Sequence, residues 1–264
     1  MALKVAIVQR KGGVGKTLIS GLIAQWMAKQ GERVLLIDTD SQGDAARCVG
    51  MEPEDGLHRW LVEGAAPETV IRPVASAVYA TADEAPKGDL FLLPSGPRTF
   101  SIPMQATNPF VMRQRVEELD EAFGLIVIDT APTLSMLDAA VYLAADAFIM
   151  VTECEALSVA GLRDGMAYVE QYAQMRRQYG TGNVSGIIGI VPNKLRASTA
   201  NHRANARVIG AEFGALVWPA LVQRTDYSEA QNFGQSVFAY RPSGPAAMEA
   251  ARLCQHVEGV FNGV

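Results

Sequence analysis

Lys11-Gly12-Gly13-Val14-Gly15-Lys16-Thr17 lies between an apolar run, Val5-Ala6-Ile7-Val8, and an amphipathic stretch from about Lys16 to Gln30. Glycines, lysines and a hydroxyl residue in this order suit the holding of phosphate. Glycine lets successive backbone N–H groups point to one side, and the helix N-terminus just beyond adds partial positive charge. In such a cradle Lys16 would reach the β- and γ-phosphates of a nucleotide, and the Thr17 hydroxyl would ligate Mg²⁺. The remaining contacts would come from backbone at Gly12, Gly13, Val14, Gly15 and Leu18.

Carboxylates follow at the ends of two further apolar runs. Leu35-Leu36-Ile37-Asp38-Thr39-Asp40-Ser41-Gln42-Gly43 places Asp38 and Asp40 where a buried strand ends, the edge at which ligands bind in open parallel sheets. Ile126-Val127-Ile128-Asp129-Thr130-Ala131-Pro132 ends in Asp129, which could hold a Mg²⁺ water across the sheet end from Thr17. Ile190-Val191-Pro192-Asn193-Lys194 ends a third such run. The Asn193 amide could donate to and accept from an adenine ring, or close an Asx-turn; the residues leave both open.

The loop departs from the general G-x-x-x-x-G-K-[ST] pattern, because Arg10 stands where the first glycine would be and a second lysine, Lys11, follows it. This K-G-G-x-G-K-T variant resembles the deviant Walker A loop of the ParA/MinD family of ATPases. The Asp38–Gly43 segment is similar to that family's D-x-D-P-Q-G motif, with Ser41 in place of proline. The resemblance implies that Lys11 reaches across a nucleotide-sandwiched homodimer to the partner's phosphates. It also implies that Asp40 orients the attacking water, that Asp38 supports the Mg²⁺ hydration shell, and that Asn193 contacts adenine. Leu18 stands where relatives often carry a second threonine, a loss of one neutral hydrogen bond, worth about 1 kcal/mol. The implied cofactors are ATP and Mg²⁺.

These residues need a scaffold that brings strand ends together. Buried strands are expected at Val5–Val8, Val34–Ile37, Leu90–Leu93, Leu125–Ile128, Ala147–Val151 and Ile187–Val191, with a seventh, shorter one around Leu216-Val217-Trp218. Helical patterns lie at 16–30, 109–123, 134–145, 155–178, 200–213 and 243–261. Strands alternating with helices predict a doubly wound α/β fold, a mostly parallel sheet with helices on both faces, as in P-loop NTPases. Residues 1–264 read as one domain, and 52–88 carry too little periodicity to place. Cys48, Cys154 and Cys254 lack metal-ligand spacing and read as buried thiols of a cytoplasmic protein.

The net charge of −5 speaks against a wholly basic nucleic-acid-binding surface, but it is uneven: the first 150 residues carry −6 and the rest +1. Lys194, Arg196, His202, Arg203 and Arg207 occur without an intervening acid, and Arg224 follows. Arg203 and Arg207 are four apart and share one helix face. The late segment Ser228-Glu229-Ala230 through Gly234-Gln235-Ser236-Val237 resembles ParA partition ATPases that lack a DNA-reading N-terminal domain, and no helix-turn-helix is expected ahead of a loop that starts at residue 11.

That resemblance implies non-specific DNA binding, here through Arg203, Arg207 and Arg224, nucleoid association, and slow hydrolysis stimulated by a ParB-like partner. Alternatives are the same switch positioning a protein cargo, a MinD-like membrane-associated ATPase, a metabolic ligase or reductase on the same scaffold, or a nucleotide-gated adaptor. The membrane reading is disfavoured because the apolar stripe Leu253, Val257, Val260 and Phe261 carries a single cation, Arg252, opposed by Glu249 and Glu258.

Overall fold

Six segments of the chain are apolar on consecutive residues, which suits strands covered on both faces, and a computed structural model places all six in one sheet. It describes residues 1–133, 135–179 and 186–263. The strands are β1 (Leu3–Val8), β2 (Arg33–Asp38), β3 (Arg72–Pro73), β4 (Asp89–Leu93), β5 (Leu125–Asp129), β6 (Ala147–Glu153) and β7 (Gly186–Asn193), in the order β3-β4-β2-β5-β1-β6-β7. All neighbours pair in parallel except β3, which pairs antiparallel with β4 through Arg72 and Pro73.

The pleat divides the core in two. Val5, Ile7, Val34, Leu36, Leu125 and Val127 face one side and pack with the Lys16–Gln30 and Pro245–Phe261 helices. Ala6, Val8, Leu35, Ile37, Ile126 and Ile128 face the other, with residues of the Val111–Glu117, Met136–Ala144 and Ser158–Gln178 helices. This is the doubly wound arrangement expected from the alternation. Parallel pairing brings Ile7, Asp38 and Asp129 into register, so the carboxyl ends of β1, β2 and β5 finish at one edge.

Three expectations need correction. No strand forms at Leu216–Trp218: Gly214–Leu216 is a 3₁₀ turn and Val217 makes an isolated bridge to Ile190. Its apolar residues pack beside β7 without extending the ladder, Trp218 covering Gly189 so closely that a Cβ there would lie 2.2 Å from its ring. The seventh strand is β3, inside the segment that carried no readable periodicity. The helix at 109–123 is shorter than its pattern, spanning Val111–Glu117. The one at 134–145 spans Met136–Ala144, capped by Ser135, and Leu134 lies outside the described residues. Leu253 and Val257 are fully buried and Val260 and Phe261 pack against the same core, so the C-terminal stripe is covered by the protein itself.

Candidate functional site

β1 ends at Val8, and the chain turns through Lys11–Gly15 into the helix that starts at Lys16. Gly13 (φ +74°) and Gly15 (φ +96°) take left-handed backbone that side chains resist. Gly15 is doubly constrained, because a Cβ there would lie 2.2 Å from Asn193 Nδ2. Val14, between them, is buried in the core and pins the loop to the fold. The first helical residues, Lys16, Thr17 and Leu18, whose N–H groups have no partner within the helix, line the same hollow.

That hollow is a cleft of about 730 Å³, lined by Gly13, Gly15, Lys16, Thr17, Leu18 and Asp40 on one side. Thr130, Pro132, Asn193 and residues of the 222–232 stretch, including Arg224 and Tyr227, complete it. Lys16 is only 5% exposed. Desolvation lowers its pKa, and the charges of Asp129, Asp40 and Asp138 oppose that shift. An ammonium so placed lacks its hydration and is poised to accept an anionic ligand.

Asp38 and Asp129 are fully buried beside each other at the ends of β2 and β5. Asp38 accepts from the backbone N–H groups of Asp40 (2.9 Å) and Ala45 (3.2 Å). Burial and the neighbouring charge of Asp129 nevertheless push its pKa well above the usual carboxylate range. Asp129 is raised by burial to about 6, against the Thr17 and Ser20 hydroxyls and Lys16, which favour its charge. Ser20 Oγ lies 2.9 Å from Asp129 Oδ1, while Oδ2 is buried without a hydrogen-bond partner among the described residues. Two buried carboxylates, an unsatisfied oxygen and a hydroxyl at Thr17 are hard oxygen donors short of positive charge, a set that fits Mg²⁺. Asp40 sits half-buried on the cleft wall, its Oδ1 accepting from Gln42 N–H (3.0 Å) and its carbonyl from Ser95.

Lys11 is placed differently. It is absent from the cleft lining, its side chain is 54% exposed, and its ammonium bonds Oε2 of Glu153 (2.7 Å), the last residue of β6, and Oε2 of Glu155 (2.5 Å), just beyond it. Those two bonds raise its pKa. Asn193, buried on β7, makes no Asx-turn: its Nδ2 donates to the Val14 carbonyl at 2.7 Å. Lys194 donates to the Gly13 carbonyl and pairs with Glu153 at 3.3 Å.

A family model described as an AAA domain matches residues 2–179. The chromosome-partitioning ATPase Soj of Thermus thermophilus is 27% identical over 256 residues, covering 96% of this chain and 94% of its own. This chain belongs to the ParA/MinD family of P-loop ATPases. The chromosome partitioning protein ParA of Caulobacter vibrioides is 29% identical over 246 residues, 89% of this chain and 86% of that one. Among solved structures, the septum site-determining protein MinD of Pyrococcus horikoshii, complexed with Mg-ADP, superposes with a TM-score of 0.74 at 19% identity over the whole of both chains, a likeness of fold.

The basic residues do not all converge. Arg203 and Arg207 are exposed on the Ala200–Phe213 helix, Arg203 donating to the Ala197 carbonyl. Arg224 instead lines the cleft, its guanidinium bonded to Glu249 at 2.6 Å, and joins neither of them. Sequence patterns missed Glu153, Glu155, Ser20 and Ser95. Ser20 alone left a signal, sitting one helical turn beyond Lys16 on the face that meets β5.

Proposed function

We propose that this chain binds ATP with Mg²⁺, pairs into a homodimer when loaded, and partitions a plasmid or chromosome by gripping DNA without regard to sequence. Lys16 and the backbone N–H groups of Gly12 to Leu18 take the phosphates. Thr17, Asp38 and Asp129 hold the metal and its waters, which neutralises phosphate charge. Asp40 orients the attacking water from its position on the cleft wall, and Asn193 borders the adenine. The observation that carries this reading is the unequal placement of the two lysines. Lys16 is buried in its own cleft, whereas Lys11 stands outside it, on a surface a second subunit can meet, where its charge would complete the partner's phosphate site.

The names of Soj and ParA, each similar across most of this chain, support partition as the task. The exposed arginines of the 200–213 helix, Arg203 and Arg207, support the DNA grip, and two copies would double a patch too small to hold DNA alone. Arg224, committed to Glu249, contributes less than Arg203 and Arg207. Turnover is slow until a ParB-like partner engages the dimer, and the protein works in the cytoplasm on the nucleoid. The test is co-sedimentation with random-sequence DNA with and without MgATP. Retention should require MgATP and fall about tenfold or more in Arg203→Glu/Arg207→Glu, with a shallower salt dependence. Retention unchanged by the double reversal would remove these residues from the interface, and retention indifferent to nucleotide would overturn the switch.

A further inference from the structure

The end of β7 grips the phosphate loop at two successive peptides. Asn193 Nδ2 donates to the Val14 carbonyl at 2.7 Å, and Lys194 Nζ donates to the Gly13 carbonyl. Both peptides are trans. In a planar trans peptide the carbonyl of one residue and the N–H of the next point in opposite directions. Drawing the Gly13 carbonyl toward Lys194 therefore turns the Val14 N–H away from it, and drawing the Val14 carbonyl toward Asn193 does the same for the Gly15 N–H. Lys194 is held for this task. It is the only non-glycine with positive φ among the described residues (+52°), and its ammonium is anchored by Glu153 Oε1 at 3.3 Å. Glu153 is in turn bonded to Lys11, so one carboxylate ties both lysines to the end of β6.

We propose that Lys194 is a positioning residue for the phosphate cradle: acting with Asn193, it fixes the Gly13 and Val14 peptides so that the Val14 and Gly15 N–H groups face a bound phosphate. This rests on the reading of the cleft as a nucleotide site. Left unheld, a loop with glycine at 12, 13 and 15 samples many peptide orientations, and ligand binding would have to restrict them. Lys194 meets that cost in the folded protein before the ligand arrives. Its side chain is 43% exposed, so replacing it leaves the core intact.

The experiment is calorimetric titration with MgADP of the full chain and of Lys194→Met, Lys194→Arg and Lys16→Ala, alongside melting temperatures and amide NMR without nucleotide. Lys194→Met should weaken MgADP about tenfold, with Lys194→Arg within about threefold of the parent, since arginine can reach the same carbonyl. The Val14 and Gly15 amide resonances of nucleotide-free Lys194→Met should shift or broaden while its melting temperature stays within about 2 °C. In turnover, the Met variant should raise KM more than it lowers kcat. MgADP affinity within about twofold of the parent would overturn the proposal. So would a loss of affinity with unmoved amide signals, which would make Lys194 a direct phosphate contact. If Lys16→Ala binds MgADP as tightly as the parent, the nucleotide reading of the cleft fails instead.

Discussion

The loop's two lysines stand five residues apart in sequence and in opposite surroundings. Lys16 is 5% exposed, stripped of water and held near carboxylates it does not pair with, and its pKa is lowered. Lys11 has a side chain 54% exposed and is bonded to two glutamates that raise its pKa. The first is a vacant counter-charge facing inward. The second is a satisfied one facing outward, so for Lys11 to act on a phosphate it must leave Glu153 and Glu155. Exposed ion pairs are weak, about 1 kcal/mol or less each, so that exchange is easily driven by a multiply charged phosphate. The contrast teaches that one short loop can hold two lysines in opposite surroundings, one buried beside carboxylates and one exposed and paired with acids at the end of β6.

Removing the inward lysine should have the largest effect. Lys16→Ala should weaken MgATP and MgADP by about 100-fold or more in calorimetric titration, because a buried charge-assisted contact is lost. Lys11→Ala should separate binding from turnover: nucleotide affinity within about threefold of the parent, hydrolysis down about 100-fold, and a nucleotide-dependent dimer that is weakened but still forms at high protein concentration in size-exclusion chromatography. An equal loss of affinity in both variants would erase the distinction between the two lysines.

The carboxylates that face Lys16 give a smaller effect of pH. Asp129 has its pKa raised to about 6 from 3.8. A raised carboxylate pKa means that the folded state binds its proton more tightly than the unfolded chain does. Ionisation therefore costs the nucleotide-free fold stability as pH rises through about 6, and the full cost is present above it. Relative to Asp129→Asn, the nucleotide-free protein should gain about 2 °C in melting temperature on going from pH 7.5 to 5.5. Over the same range MgADP binding should weaken, because the proton competes with Mg²⁺ for the carboxylate. A melting difference that is flat with pH would contradict the burial argument.

The smallest effect belongs to the outward pair. Glu155→Gln removes one of Lys11's two partners, and nucleotide-dependent dimerisation, followed by light scattering, should strengthen by about twofold to fivefold. Weaker dimerisation would show that Glu155 supports the interface instead of withholding the lysine.

The inward half of this comparison was legible in the sequence. A glycine-rich turn between a strand and a helix declares its chemistry locally, and runs such as Leu125–Ile128 announce doubly covered strands that must end at a common edge. Asp38, Asp40 and Asp129 could be placed because each closes such a run. The outward half was not legible, because Glu153 and Glu155 are ordinary acids whose meaning comes from β6 lying beside β1. Tertiary pairing of that kind leaves no local pattern. The same holds for β3, whose two residues, one a proline, give no alternation to read. At Leu216–Trp218 the apolar run reflects packing against Gly189, not a place in the ladder. Arg224 read as part of a basic stretch because Glu249, which binds it, lies twenty-five residues away.

Mixing two inactive variants shows whether Lys11 serves the partner's cleft while Asp40 serves its own. Lys11→Ala keeps Asp40 but lacks the outward lysine, and Asp40→Ala keeps the lysine but lacks the cleft-wall carboxylate. In a mixed dimer one cleft has its own Asp40 and receives Lys11 from the other subunit. Equal mixing makes about half the dimers mixed, each with one complete site, so ATP turnover should recover to about a quarter of the unmodified protein's. Turnover no greater than the mean of the two variants alone, with mixed dimers present, would show that Lys11 does not act in the partner's cleft.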